Sequence, residues 1–554
     1  MAKPPTEVKI KRVLRKLGKT AMFRKRKARV RKFRTKKAKP GETIIEMKGI
    51  TKRFPGVVAN DHINFDLRAG EIHSILGENG AGKTTLMKIL YGLYRLDEGE
   101  IRFRGKRVSI KSPKDAINLG IGMIPQSLML VPTLTVRENI ILGYEPLRGP
   151  FLDTKQAEKK IIELQKKFKL GVDLKAKPWQ LSIGEKQRVE ILRALFREAR
   201  ILIMDEPTSM LSPAEKKELM RSLQKMAKEG IASIPFITHK MPEVMAISDR
   251  ITILRKGGVV DVLETKDATK RGLAQKMVGR RVLFYVKRRP TKKGKKILEV
   301  KNLRALSDKG VLALKGVSFF VREGEILGIA GVSGNGQKEL AEVIAGLRHT
   351  TAGKVIYKGK ATANRSPKEI RDLGIGYIPE ERMARGIAPN LSVAENLVIG
   401  AHTKPPFAHR WFLPLDKRWF TNPDEVNKYA KRLIREYNVE PPSVEKPAGK
   451  LSGGNIQRLI LARELSRDPD FLLADKPTAG LDVGSQEFIR KLLMKEKERG
   501  KAILLISEDL DEIMMISDRI AVMYEGEIVA IVSTKGANKE RIGLMMIGRK
   551  KFKE

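Results

Sequence analysis

Short uninterrupted apolar runs punctuate the chain, and each ends on a glycine or an acidic residue. Glu71-Ile72-His73-Ser74-Ile75-Leu76 leads into Gly77, and Glu325-Ile326-Leu327-Gly328-Ile329-Ala330 leads into Gly331. Ile201-Leu202-Ile203-Met204 closes on Asp205, and Phe471-Leu472-Leu473-Ala474 closes on Asp475. Apolar runs without alternation suit strands buried on both faces, as in parallel sheets. Amphipathic helical spacing begins at Thr84 and again at Lys338, and a charged helical pattern covers 155–168. Strand–loop–helix alternation predicts an α/β fold with a mainly parallel sheet covered by helices, and the 155–168 segment predicts an added helical subdomain.

The pattern occurs twice. Ile44-Ile45-Glu46-Met47-Lys48-Gly49-Ile50 matches Ile297-Leu298-Glu299-Val300-Lys301-Asn302-Leu303, and Met277-Val278-Gly279-Arg280 matches Met546-Ile547-Gly548-Arg549. A repeat of roughly 250–270 residues is a duplicated domain, not a solenoid. The expected organisation is a basic extension at 1–43, a first unit at 44–282, a linker at 283–296, a second unit at 297–549 and a basic tail at 550–554. Lys287 to Lys296 is short, polar and highly charged, as a linker should be.

Composition narrows the options. At 554 residues the chain exceeds a single core. An apolar content of 41% predicts a folded globular protein. No run of 18 apolar residues offers a membrane span, and the first residues lack the apolar stretch of a secretory signal, so a cytosolic location is expected. The absence of cysteine excludes disulfides, iron–sulfur ligation and thiolate zinc sites. A formal charge of +47 implies an anionic partner, either phospholipid headgroups or nucleic acid, or else a heavily solvated basic surface. Residues 1–43 hold eighteen Lys/Arg against two Glu, which leaves 31 of those charges on the rest of the chain.

Gly77-Glu78-Asn79-Gly80-Ala81-Gly82-Lys83-Thr84 is a complete G-x-x-x-x-G-K-[ST] loop, followed by Thr85. Small residues let backbone N–H groups close around a nucleotide β-phosphate, and the helix that follows adds the positive end of its dipole. Lys83 should reach the β- and γ-phosphates, and the Thr84 hydroxyl should ligate Mg²⁺. Asp205 and Glu206 put two carboxylates at the end of a buried strand. Asp205 suits Mg²⁺ through water, and Glu206 suits activation of an attacking water, although such a pair taken alone is more often a helix cap or a solvated edge. His239, after Ile237-Thr238, is placed to sense the γ-phosphate or is incidental.

With these residues in order, the chain resembles the ATP-binding-cassette ATPases. Leu451-Ser452-Gly453-Gly454-Asn455 resembles their signature motif, and Gln126 in Ile124-Pro125-Gln126 resembles their Q-loop. The resemblance covers nearly all of 44–549. It implies two tandem P-loop NTPase domains, with Lys83, Asp205, Glu206 and His239 as phosphate-loop lysine, Walker B aspartate, catalytic glutamate and switch histidine. Gln126 joins Thr84 and Asp205 at Mg²⁺, and Phe54 is implied as the aromatic that stacks on adenine. It further implies a head-to-tail pairing in which ATP on the first loop is completed by Ser452, Gly453 and Gly454.

The second loop, Gly331-Val332-Ser333-Gly334-Asn335-Gly336-Gln337-Lys338, lacks the lysine. Lys476 stands at the position of Glu206, Glu508 at that of His239, and Glu380 at that of Gln126. Ile183 interrupts the first unit's own signature, and no aromatic in Leu303-Arg304-Ala305-Leu306 matches Phe54. An ammonium cannot serve as base for water. The second site is therefore expected not to hydrolyse; ATP held without turnover is expected there, with an empty cradle as the alternative.

Among cassette ATPases, fused pairs of this asymmetry resemble the energising subunits of importers for simple sugars and nucleosides. Segments 181–192 and 459–469 look most like the nucleoside branch, whose receptors are basic-membrane-protein-like lipoproteins; that branch is expected to carry glutamine where Lys476 stands. The implied partners are two transmembrane permease subunits and an extracytoplasmic substrate-binding lipoprotein, with the chain peripheral on the cytoplasmic face of the membrane. An anionic membrane surface is a further possible contact, and nucleic acid is not expected. The alternative is a soluble tandem ATPase acting on the ribosome. In the extension, Ile10, Val13, Leu14 and Leu17 can share one face of a basic helix suited to anionic lipid. A solvated tail, or a start at Met22, remains open.

Overall fold

A computed structural model describes residues 39–148, 151–209, 211, 213–280, 291, 293–410 and 419–549. Most of the basic extension, including Ile10, Val13, Leu14, Leu17 and Met22, lies outside the described residues. So do most of the 283–296 segment and the 550–554 tail. The chain divides into two compact units, residues 1–282 and 283–554.

The first unit opens with β1 (Thr43–Phe54), β2 (Val57–Arg68) and β3 (Ile72–Leu76), then α1 (Lys83–Leu90). Next come β4 (Glu98–Phe103), β5 (Lys106–Val108), α2 (Pro113–Asn118), β6 (Ile121–Ile124), α3 (Val136–Ile141), β7 (Leu147–Arg148) and β8 (Phe151–Leu152). They are followed by α4 (Thr154–Phe168), α5 (Ile183–Phe196), β9 (Ile201–Asp205), α6 (Pro213–Lys228) and β10 (Ile234–Thr238). The unit ends with α7 (Met241–Ile247), β11 (Arg250–Arg255), β12 (Gly258–Glu264) and α8 (Lys270–Val278).

One sheet runs β12-β11-β3-β10-β9-β6 and is parallel except for its edge strand β12. Its strands show why their sequences do not alternate. In β9, Ile201 and Ile203 face the cluster that holds Ile75, Leu86 and Leu90, whereas Leu202 and Met204 face the cluster that holds Phe168, Val189 and Phe196. Both faces are core, so every position is apolar. Truncating Leu202 to Ala should cost about 2–5 kcal/mol.

The charged 155–168 pattern forms α4, capped by Asp153, whose side chain accepts from Gln156 N. Ala157, Ile161 and Phe168 are its buried stripe. A second, antiparallel sheet, β2-β1-β4-β5, was not anticipated from the sequence. Register shifts between Met47/Ile50 and Lys48/Thr51 break the period of two that would announce it.

The second unit repeats this plan. Its strands are β13 (Lys296–Leu306), β14 (Leu312–Arg322), β15 (Ile326–Ala330), β16 (Ala352–Tyr357), β17 (Lys360–Ala361) and β18 (Ile375–Ile378). A small hairpin, β19 (Ala408–Arg410) and β20 (Trp419–Thr421), precedes β21 (Phe471–Asp475), β22 (Ala502–Ser507), β23 (Arg519–Tyr524) and β24 (Glu527–Ser533). Its helices are α9 (Gln337–Ile344), α10 (Pro367–Asp372), α11 (Val393–Val398), α12 (Pro423–Tyr437), α13 (Gly453–Leu465), α14 (Val483–Glu498), α15 (Leu510–Ile516) and α16 (Lys539–Met546). The large sheet is β18-β21-β22-β15-β23-β24, with β24 antiparallel. Phe471 and Leu473 face one cluster while Leu472 and Ala474 face the other. The α/β architecture with mainly parallel cores holds in both units.

Candidate functional site

In the first unit, β3 delivers the chain to Gly77, and α1 begins at Lys83 with Gly82 as its N-cap at φ 97°. A Cβ on Gly82 would lie 2.2 Å from Ala59 O, and one on Gly77 would lie 2.4 Å from Leu254 O. Only glycine fits at either end of the loop. Asn60, fully buried on β2, ties that strand to the end of the loop by donating from Nδ2 to Gly82 O at 3.1 Å. Asn60 was missed in the sequence, because an asparagine in a strand-like run carries no local signal.

Lys83 is buried, and its Nζ donates to Gly77 O and Glu78 O, both at 2.8 Å. The ammonium thus lies across the mouth of its own loop. Asn79 and Gly80 are exposed at the loop tip, Ala81 is buried beneath it, and Thr85 is half-buried on α1. Thr84 Oγ1 donates to Asp205 Oδ1 at 3.0 Å, which joins the start of α1 to the end of β9. Burial pushes the Asp205 carboxyl above its ordinary range; the Thr84 hydrogen bond works against this, and the Glu206 charge adds to it. This hydroxyl and carboxylate are hard oxygen donors that fit Mg²⁺.

Glu206 turns sharply out of β9 at φ 47°. Its Oε1 meets His239 Nδ1 at 2.8 Å, and its Oε2 accepts from Gln126 Nε2 at 3.3 Å. β9 and β10 are neighbours, so the residues that follow them meet side by side. Burial raises the Glu206 pKa, but the His239 hydrogen bond and the nearby positive charges outweigh it and leave the carboxyl below its usual value. The group is therefore kept ionised, as a general base requires.

A third carboxylate sets this geometry. Glu243 on α7 is buried, and its Oε2 accepts from Thr208 Oγ1 at 2.6 Å and from Thr238 Oγ1 at 3.1 Å. Thr208 belongs to the turn of Glu206, and Thr238 directly precedes His239. Glu243 was also missed, since one Glu on an amphipathic helix reads as a solvated face.

Phe54, half-buried at the end of β1, packs edge-on to Tyr94, with centroids 5.4 Å apart. Ser452, Gly453 and Gly454 lie in the second unit. Ser452 caps α13 and accepts from Asn455 Nδ2 at 3.0 Å, while Gly453 is exposed at the helix start. The structure thus gathers Lys83, Thr84, Gln126, Asp205, Glu206 and His239 within one unit and sets the three signature residues on a helix N-terminus in the other.

The second unit repeats the backbone of this site with other side chains. Lys476 takes φ 44°, and its N–H donates to Ile506 O at 2.8 Å, as Glu206 N donates to Ile237 O at 3.0 Å. Gln337 Nε2 donates to Val332 O at 3.2 Å. Lys476 Nζ lies 2.9 Å from Glu380 Oε1 and 2.5 Å from Glu508 Oε1. Burial, reinforced by the Glu380 charge, pushes Asp475 up to about 7. The clamp persists: Glu512 accepts from Thr478 Oγ1 at 2.6 Å and Ser507 Oγ at 2.8 Å.

The profile of the ABC transporter family matches residues 60–209 and 314–479. The chain is 45% identical over 537 residues to a glucose import ATP-binding protein of Haloferax volcanii, covering 92% of this chain and 96% of that one. It is equally 45% identical over 507 residues to a nucleoside import ATP-binding protein of Lactococcus lactis subsp. cremoris, covering 92% and 98%. Among solved structures, an archaeal ribosome recycling factor in complex with a ribosomal stalk protein aligns with a TM-score of 0.59. Its 20% identity, over 90% of this chain and 92% of that one, speaks to the fold alone.

Proposed function

The chain belongs to the ABC transporter family, and from that membership we propose that it powers import of nucleosides or simple sugars through separate membrane permeases. It is an ATPase coupled to transport. The observation that carries the mechanistic reading is the position of Glu206, held between Gln126 and His239 beside the loop of Lys83.

ATP supplies the anhydride to be cleaved, and Mg²⁺ supplies charge to its phosphate oxygens. The glycine loop admits phosphate because a Cβ at Gly77 or Gly82 would fill it. Thr84, Asp205 and Gln126 would hold the cation, and Phe54 would stack on the base. Lys83 can exchange the carbonyls of Gly77 and Glu78 for phosphate oxygens without leaving the loop. Glu206, kept ionised by His239, takes a proton from water; Gln126 orients both. His239 engages Glu206 through Nδ1, and its Nε2 would donate to the terminal phosphate when the ring carries both protons. Ser452, Gly453 and Gly454 present the amides at the start of α13, which suit a nucleotide phosphate.

The second unit does no hydrolysis of its own, because Lys476 is an ammonium paired with carboxylates. The permeases and a substrate-binding lipoprotein carry the cargo, and they hold the chain at the cytoplasmic face of the membrane. No helix among the described residues is long and apolar enough to cross a bilayer. Relatives named for glucose and for nucleosides are equally similar, so the proposal keeps both cargo classes.

Glu206→Gln should cut ATP turnover about 10²–10⁴-fold, the usual contribution of a general base. Lys476→Ala should leave turnover within about twofold of the parent, since no base is removed. The opposite pattern would refute the site assignment.

A further inference from the structure

The second cradle keeps the groups that would face a β-phosphate and replaces those that would face a γ-phosphate. Gly334 and Gly336 stand at φ 89° and 104°, against 82° and 97° for Gly80 and Gly82. A Cβ on Gly336 would lie 2.8 Å from Ala313 O, so this loop also admits only glycine there. α9 starts directly behind it, with first-turn amides that have no partner within the helix.

The other side chains differ in a common direction. Gln337 brings a neutral amide where the first loop has an ammonium. Lys338 removes the hydroxyl that would ligate a divalent cation and turns towards Asp308 at 3.5 Å. Asp475, 3% exposed, is left with Oδ1 lacking any hydrogen-bond partner, whereas Asp205 Oδ1 accepts from Thr84. Glu508 replaces the histidine and accepts a hydrogen bond from Ser333 of the loop itself. The Lys476 charge is already matched by Glu380 and Glu508.

The geometry points to a second cradle that takes a nucleoside diphosphate in preference to a triphosphate, and does so without a divalent cation. This rests on the reading that the second loop is a nucleotide cradle and is independent of which site hydrolyses. Loop amides and the helix N-terminus would serve a β-phosphate equally in either ligand. A third phosphate would bring its charge against the Glu508 carboxylate, whose Lys476 partner is shared with Glu380, and neither a loop lysine nor a divalent cation offsets the repulsion. A diphosphate stops short of that carboxylate.

The test uses full-length protein carrying Lys83→Ala, which disables the first cradle. Equilibrium dialysis with radiolabelled ADP and a non-hydrolysable ATP analogue, in Mg²⁺ and in EDTA, reads each affinity. ADP should bind at least about tenfold tighter than the analogue, as one like-charge contact at partial screening predicts. EDTA should leave the ADP affinity unchanged. Adding Glu508→Gln should strengthen the analogue and leave ADP as it was, which lowers the ratio. Adding Gly336→Ala should remove binding while the thermal melt stays native. The assignment is overturned by a triphosphate that binds as tightly, by a ratio that Glu508→Gln does not move, or by ADP lost in EDTA. ADP retained by Gly336→Ala, or no binding of either nucleotide, overturns it as well. None of these outcomes touches the first site, whose own failure would appear in the turnover of Glu206→Gln.

Discussion

His239 Nδ1 lies 2.8 Å from Glu206 Oε1, although 33 residues separate them, because the strands that deliver them are neighbours in the sheet. The contact keeps the carboxylate charged against the pull of burial. Replacing the ring removes that support. His239→Ala should lower kcat about 10²-fold, within the range for a lost acid–base partner. The Glu206 pKa should rise in the variant, so the acid limb of kcat/KM should move to higher pH. A pH–rate profile of the two proteins measures this directly.

Glu243 is buried, and it joins the turn of Glu206 to that of His239 through Thr208 and Thr238. Glu243→Ala frees both turns. It should cost about 10²-fold in kcat, the scale of a misplacement near 1 Å, while KM for ATP changes little. Glu243→Gln keeps one carbonyl acceptor and should recover part of the loss. Steady-state kinetics on both variants separate positioning from simple destabilisation, which would not be rescued in kcat alone.

Gly82→Ala places a Cβ against Ala59 O in a backbone conformation at φ 97°. The loop must open or shift, and the amides lose the curvature that fits a phosphate. ATP binding should fall by at least about tenfold while the fold persists, since loop strain of about 1–3 kcal/mol is local. Isothermal titration with a parallel melting curve checks both halves of that statement.

Arg250 holds Asp66 through two hydrogen bonds of 2.8 Å and the buried Glu71 at 3.3 Å. Burial raises both carboxyl pKa values, but Arg250 and His73 outweigh it and depress them. Groups depressed in the folded state contribute stability that is complete above their unfolded pKa values and is lost as pH falls through the folded ones. Arg250→Leu strands Glu71 and should destabilise the unit by about 3 kcal/mol. Its acid-unfolding midpoint should move to higher pH. Thermal melts between neutral and mildly acidic pH would show both effects.

The parallel cores and the phosphate loop were legible because their signals are local. A strand with core on both faces must be apolar at every position, and a loop that a Cβ would fill must be glycine. The antiparallel sheets were not legible, since bulges in β1 and β13 shift the alternation from one face to the other. Asn60, Glu243 and Glu512 were hidden for a different reason: each is one polar residue in an ordinary helix or strand pattern, and its burial depends on what packs above it.

Lys476 shows the division most clearly. Read along the chain, Gln126 to Glu380, Glu206 to Lys476 and His239 to Glu508 are three separate losses. In the folded unit they are one substitution, an ammonium seated between two carboxylates. Residue types and spacings alone determined the duplicated α/β plan, the one complete loop and the missing base, because those depend on nearest-neighbour geometry and on burial of whole strands. Which distant side chains share a charge or a proton was decided by strand order, β18-β21-β22-β15 in the second sheet. No local period encodes that order, since the free energy that selects it comes from contacts across the whole core.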